Sequence, residues 1–167
     1  ESNVVGTLNI LEACKNLKNL KRVICTSSSE VYGTALSKVI SEEHPLNPTS
    51  PYAASKVAAD RYCYSYIKTY NLPITIIRPF NTYGPRHTYD VVPKFIKMAL
   101  TNKLITIHGG GLQSRDLTYV SDAVDAFLKV GLSGKTNQKV VNFGTGKHQT
   151  VIFLAKQVGT IVPFFIM

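Results

Sequence analysis

Apolar residues at Val4, Leu8, Leu11 and Ala13 to Cys14 recur at helical spacing, so residues 3–16 are expected to form a helix. Residues 22–26 (Arg-Val-Ile-Cys-Thr) form a short apolar run, the pattern of a strand buried in a parallel sheet. Residues 34–50 are polar, carry Pro45 and Pro48, and read as a loop. Residues 53–66 are rich in Ala and lack Gly and Pro, which predicts a helix from Tyr52 to about Tyr70. Asn71-Leu72-Pro73 ends it, and residues 74–77 read as a second buried strand. A polar cluster follows at 78–86. Further on, helices are expected at 91–100, at 119–132 with Asp122 and Asp125 on the solvent side, and at 150–162. Strands are expected at 104–108 and 139–143, with Gly109-Gly110-Gly111 as a turn. Alternating strands and helices argue for an α/β fold with a parallel sheet. There is no internal repeat or low-complexity tract.

A length of 167 residues with 44% apolar content suits one domain or most of one. No apolar run is long enough to cross a bilayer, and no signal peptide opens the chain. Glu1 stands first, inside what already reads as a mid-fold helix, and residues 161–167 are apolar and end abruptly. The expectation is a piece of a longer protein, cut at both ends. Cys14, Cys25 and Cys63 are widely spaced in apolar contexts, as expected for reduced core cysteines of a cytoplasmic protein. The net charge of +9 is spread along the chain, with no nucleic-acid motif. It suits a small anionic substrate better than a duplex groove, and a missing acidic half would also account for it. His87, His108 and His148 lack metal-ligand spacing, so no metal is expected.

The candidate chemistry centres on Ser50-Pro51-Tyr52-Ala53-Ala54-Ser55-Lys56. Tyr52 and Lys56, four apart on a helix, share a face. A phenol ionises near pH ~10, and an ammonium close by favours the phenolate. The pair is a plausible acid/base device for a sugar or alcohol oxygen; the plain alternative is a surface Tyr with a Lys one turn on. The strand at 22–26 empties into Ser27-Ser28-Ser29-Glu30, placing hydroxyls and a carboxylate at a strand's carboxyl end, where open α/β sheets bind ligands. A solvated turn is the simpler account of three serines. The glycine triplet is not a phosphate-binding fingerprint, because no Gly-x-Gly-x-x-Gly spacing and no helix follow it.

Six motifs occur in order: Asn-Val-x-Gly-Thr at 3–7, Thr-Ser-Ser-Ser-Glu-Val-Tyr-Gly at 26–33, Ser-Pro-Tyr-x-x-Ser-Lys at 50–56, Arg-Pro-Phe-Asn-x-Tyr-Gly-Pro-Arg at 78–86, Gly-x-x-x-Arg-Asp at 111–116 and Asn-x-Gly-x-Gly at 142–146. Together they resemble the extended short-chain dehydrogenase/reductase family, the sugar-nucleotide epimerases and dehydratases. The resemblance implies a partial Rossmann-like parallel sheet with part of a small substrate-binding lobe. Residues 1–86 would be the carboxyl-terminal part of the NAD-binding domain, and 87–167 a mixture of substrate lobe and returning sheet elements. It also implies NAD and a nucleoside-diphosphate sugar. Tyr52 would take the proton from the sugar 4-hydroxyl, Lys56 would hold the nicotinamide ribose, and Ser28 would bond the same sugar oxygen. Glu30 matches the base that removes the C5 proton of a 4-keto sugar, and Ser29 the position of the acid that protonates the leaving hydroxyl. The implied reaction is 4,6-dehydration; a 4-epimerase, a UDP-glucuronate decarboxylase and a non-catalytic scaffold are the alternatives.

The same resemblance assigns Asn3, Thr26, Ser27 and Phe80, with Tyr52 and Lys56, to the cofactor. It assigns Asn81, Arg86, Lys94 and Arg115, with Ser28, to the substrate, Arg115 as a pyrophosphate fork. Taken singly, Asn3 reads as an N-cap, Phe80 as core, Asn81 as a turn cap, Arg86 and Arg115 as surface charges, and Asp116 as a local pair. The family's glycine-rich turn and ribose-binding acid have no counterpart in these residues, so the segment alone is expected to bind NAD weakly and to be inactive. A homodimer is implied, built from the helices at 3–16 and 51–70 through Leu8, Leu11, Tyr62 and Tyr66; the alternative is that these residues face their own sheet.

Overall fold

A computed structural model describes residues 1–161. They divide into two compact units, one built from Glu1–Phe80 with Ser121–Phe143, the other from Asn81–Val120 with the described residues from Gly144 onward.

The first unit is a three-stranded parallel sheet faced by helices. Its strands are β1 (Val23–Thr26), β2 (Ile74–Pro79) and β5 (Val140–Phe143), in the order β1-β2-β5. Central β2 explains the unbroken Ile-Thr-Ile-Ile run, because every residue from Ile74 to Arg78 is buried. The register places Thr26 beside Ile77, and Pro79 beside Phe143, so all three strands finish at one end of the sheet. β1 is an edge strand in this order. Helices α1 (Val5–Lys15) and α2 (Pro51–Tyr70) pack on one face. Leu11, Cys14, Cys63, Tyr66, Ile67, Leu72, Ile74 and Ile76 form the core between them and the sheet. Leu11 (1% exposed) and Tyr66 (8%) therefore face their own sheet, not a bundle partner; Tyr62 (39%) remains outside.

Helix α2 has strong boundary signals. Ser50 Oγ accepts from the Ala53 amide at 3.1 Å, and Pro51 occupies the first turn, where its missing N–H costs nothing. Asn71, left-handed at φ 54°, closes the carboxyl end by donating to the Ile67 carbonyl at 3.0 Å. At the base of the sheet the Arg22 guanidinium donates to Thr75, Thr136 and the Ser133 carbonyl, tying the start of β1 to the entrance of β5. Helix α4 (Val120–Leu132) precedes that entrance, with Asp122 and Asp125 exposed as expected.

The second unit holds β3 (Asn81–Tyr83), α3 (Val91–Leu100), β4 (Ser114–Tyr119), β6 (His148–Thr150) and α5 (Val151–Ile161). β4 pairs parallel with β3 and antiparallel with β6. Phe95, Ile105, Val151 and Ala155 form its core. The strand expected at 104–108 does not form: the segment makes an isolated bridge at Ile105 and spends its apolar side chains on the α3–α5 core. The last helix begins at Val151, and Val162, its expected end, lies outside the described residues.

Candidate active site

Two elements of the first unit carry the candidate chemistry: the exit of β1 and the first turns of α2. Lys56 Nζ donates to the Thr26 carbonyl, the last of β1, at 2.9 Å. The same ammonium lies 5.9 Å from the centre of the Tyr52 ring. The four-residue spacing therefore does place both groups on one helix face. Tyr52 is half exposed at 48%, accessible to a ligand. Ser55 and Asn3 brace the helix start: Ser55 Oγ donates to the Tyr52 carbonyl at 2.7 Å, and Asn3 Nδ2 donates to Ser55 Oγ at 3.0 Å. Asn3 does not cap α1, whose N-cap position is Val4.

After Thr26 the chain enters a 3-10 turn at Ser29–Tyr32. Ser28 caps it, its Oγ accepting from the Glu30 amide at 3.2 Å, and Gly33, at φ 67°, closes it. Ser28 and Ser29 are half-buried and Glu30 is exposed. The serines thus form a capped turn at the sheet's carboxyl edge. Phe80 reaches the same edge, its amide bonded to the Phe143 carbonyl at 2.8 Å.

Beneath this edge lies a polar network that the sequence reading missed. Arg78 and Asp60 are buried at 1% and 0% exposure. Arg78 Nε and Nη2 donate to the two Asp60 carboxylate oxygens at 2.8 and 3.0 Å, a bidentate pair. Ser27 Oγ donates to Asp60 at 2.9 Å, and Arg61 adds a further bond. Arg78 Nη1 donates to the Tyr32 phenol at 2.9 Å, and Tyr32 donates to Asn142 Oδ1 at 2.6 Å. Burial alone would raise the Asp60 carboxyl, but the bonds from Arg78, Arg61 and Ser27 hold it below the usual carboxylate range. Burial would likewise lower Arg78, and its bonds to Asp60 and Tyr32 raise it instead. Ser27, a candidate cofactor residue, spends its hydroxyl on this network. Asp60 carries no motif of its own; its only sequence signal was a carboxylate one turn beyond Lys56.

Cys25 and Cys63 are hydrogen-bonded. That bond lowers the Cys25 thiol, and the same bond with burial pushes Cys63 up. All three cysteines are free.

In the second unit Lys94 and Arg115 line one cleft of about 400 Å³, with Asp90, Thr106, His108 and Gln113. Both cations are exposed there, a setting suited to phosphate oxygens. Asn81 is held in β3 opposite Leu117. Arg86 is exposed, has a left-handed backbone (φ 69°) and is not among the cleft's lining residues. Asp116 does not pair locally: it accepts from the Thr145 and Gly146 amides, 29 and 30 residues on, at 3.0 and 2.8 Å. Among the described residues there is no cluster of His, Cys, Asp and Glu that could hold a metal, and no helix long and apolar enough to cross a membrane.

Residues 1–144 match the model of the NAD dependent epimerase/dehydratase family. The chain is 41% identical over 157 residues to human dTDP-D-glucose 4,6-dehydratase, covering 93% of this chain and 44% of that protein. Among solved structures, dTDP-glucose 4,6-dehydratase from Bacillus anthracis in complex with NAD is 34% identical with a TM-score of 0.92, over 99% of this chain and 54% of that one. UDP-glucuronic acid 4-epimerase from Bacillus cereus, in complex with UDP-glucuronic acid and NAD, is 32% identical, also with a TM-score of 0.92, over 99% and 52%. The chain thus spans about half the length of the relatives it matches.

Proposed function

This chain belongs to the NAD dependent epimerase/dehydratase family, and on that premise we propose that its parent protein removes water across C5 and C6 of a nucleoside-diphosphate hexose by way of a 4-keto sugar. The observation that carries the proposal is the Lys56 ammonium, held on the Thr26 carbonyl beside the Tyr52 ring, with the Ser28–Glu30 turn as the next residues of the chain.

NAD, when bound, supplies the two-electron acceptor for C4 oxidation and returns the electrons at the end. The residues present fit its nicotinamide end: Lys56 has three N–H donors and gives one to Thr26, leaving two for a ribose diol. Thr26 and Phe80 lie at the same end of the sheet, while Ser27 gives its hydroxyl to Asp60 and Asn3 its amide to Ser55, so these two act behind the cofactor and not on it. Tyr52 takes the proton of the sugar 4-hydroxyl, and Ser28 bonds the same oxygen. The 4-keto group makes the C5 proton acidic; Glu30 removes it, and the Ser29 hydroxyl passes a proton to the C6 hydroxyl, which leaves as water. In the second unit's own cleft, Lys94 and Arg115 are the candidates for phosphate oxygens.

The test is to incubate the full-length protein with dTDP-glucose, UDP-glucose, UDP-N-acetylglucosamine and UDP-glucuronate and weigh the sugar product. A 4-keto product lighter by one water supports dehydration. A C4 epimer of unchanged mass supports the second reading, 4-epimerisation, which the similar UDP-glucuronic acid 4-epimerase fold favours; a pentose product from UDP-glucuronate would indicate decarboxylation. The 167-residue chain alone, without a glycine-rich dinucleotide turn, binds NAD weakly and does not turn over; titration calorimetry against the full-length protein tests this. A homodimer would use the outer side of α1 and α2, where Ile10 and Tyr62 are exposed, and sedimentation of the full-length protein checks it. The free cysteines suit a reducing, cytoplasmic setting.

A further inference from the structure

The buried Asp60–Arg78 pair is more than a support for the core. Lys56 and Asp60 are one helical turn apart on α2, and their partners on the β1 exit are consecutive: the Thr26 carbonyl and the Ser27 hydroxyl. One stripe of α2 is thereby stitched to the strand exit at two levels. From the opposite side Arg78 clamps the same carboxylate with two prongs of its fork and spends the third nitrogen on Tyr32 and the Glu42 carbonyl.

The consequence lies in the chain order. Ser27 and Tyr32 flank Ser28, Ser29, Glu30 and Val31. Ser27 is anchored to Asp60 and Tyr32 to Arg78, so the turn is held at its two ends by the two halves of one ion pair. Tyr32 is fixed a second time through Asn142, whose amide nitrogen donates to the Ile40 carbonyl at 2.9 Å. We infer that Asp60 and Arg78 are positioning residues, a carboxylate–guanidinium clamp that sets the Ser28–Glu30 turn at the height of Tyr52 and Lys56. The part the turn plays in catalysis rests on the function proposed above; the clamp itself rests on the hydrogen bonds.

An apolar pair of similar volume would serve packing as well, since buried ion pairs commonly do no better than hydrophobic replacements. It could not supply directed bonds to two separate anchors. Charge is the second consequence. The groups facing Asp60 are Arg78 from β2, Arg61 from α2, the Ser27 hydroxyl, and the Cys25 and Cys63 thiols; Tyr32 and Glu42 meet Arg78. Arg78 and Arg61 bond both oxygens of Asp60, so removing one partner of the pair alone changes the net charge one turn from Lys56.

The experiment compares the full-length protein with the double variant Asp60→Leu/Arg78→Met and with Tyr32→Phe, which loses one hydroxyl and leaves the ion pair intact. Hydrogen exchange reads the Val31 and Gly33 amides, which close the turn onto the Ser28 and Glu30 carbonyls. In the double variant their protection is expected to fall by about tenfold or more while β2 amides hold. With dTDP-glucose, kcat is expected to fall by about tenfold or more at a KM changed by less than about threefold. Tyr32→Phe gives the same pattern at about threefold, and decides the matter if the double variant does not fold. Among single variants, the acid limb of the kcat/KM profile moves down in pH for Asp60→Asn and up for Arg78→Gln, a split that a packing role would not produce. Unchanged protection at Val31 and Gly33, or lost protection with unaltered kcat, overturns the inference. An unaltered protein inactive on every nucleotide hexose, or a fully active Tyr52→Phe variant, overturns the proposed function instead, and the exchange measurement still decides the clamp.

Discussion

Replacing Gly33 by Ala should be among the most damaging single-methyl changes in the first unit. Gly33 closes the turn that presents Glu30, its amide donating to the Glu30 carbonyl at 3.1 Å. Its φ is +67°, and a Cβ there would lie 1.9 Å from the Asn47 carbonyl oxygen, a backbone atom that cannot rotate away. With ψ at −137° the residue sits in the extended positive-φ region that only glycine adopts freely, which costs an alanine about 1–3 kcal/mol. Relieving the clash requires moving either the turn or the loop at 47–49 by more than a tenth of a nanometre, which resembles overpacking at about 1–3 kcal/mol. The expected loss is therefore about 2–6 kcal/mol. Gly6 is the internal control: it lies in α1 with nothing within 4 Å of its added Cβ, so Gly6→Ala should be neutral or stabilising by up to about 1 kcal/mol. Urea denaturation of the full-length protein, with kcat measured on each variant, reads both effects. Gly33→Ala should unfold earlier and turn over more slowly. An unfolding midpoint equal to or above that of the unaltered protein would refute the reasoning.

Other outcomes follow from the same geometry. Ile76→Ala, in the middle of the buried central strand, should cost about 2–5 kcal/mol in denaturant unfolding. Arg115→Ala and Lys94→Ala should each weaken nucleotide-sugar binding by about tenfold, measured by calorimetry, with little change in kcat. The Tyr66 phenol, hydrogen-bonded to Glu12, is pushed up to about 12. It is raised above its unfolded value, so its contribution is complete below pH ~10 and is lost as pH rises through its folded value. An alkaline melting series should show that loss, and Tyr66→Phe should not. Asp60 is held low, so its contribution is present above pH ~4 and disappears as pH falls through its folded value; an acid titration of stability, compared with Asp60→Asn, checks the direction.

Much of the first unit could be read from the sequence because its elements obey simple periodicities. The helix at 51–70 has a serine cap, a proline start and an Asn-Leu-Pro stop, and β1 and β2 are continuous apolar runs. The second unit was harder. β3, β4 and β6 are short and mostly polar, and Ser114–Tyr119 buries little besides Thr118, so nothing in its composition separates it from a loop. Residues 104–108 look like a strand because Leu104, Ile105 and Ile107 are apolar, but Ile105 and Ile107 pack into a core of helix residues and Leu104 is exposed. The Tyr52–Lys56 juxtaposition was legible because a helix converts spacing directly into proximity. The Asp60–Arg78 pair was not, because its partners are 18 residues apart and meet only through the register of α2 on β2.

The central claim is that a phenol beside an amine starts the reaction by accepting the proton of the sugar hydroxyl. Single-turnover absorbance of the full-length Tyr52→Phe variant with bound NAD and dTDP-glucose tests it most directly. Reduction of the nicotinamide slowed by about 10²–10⁴-fold, with both ligands still bound, is the predicted result; reduction at the unaltered protein's rate would contradict it.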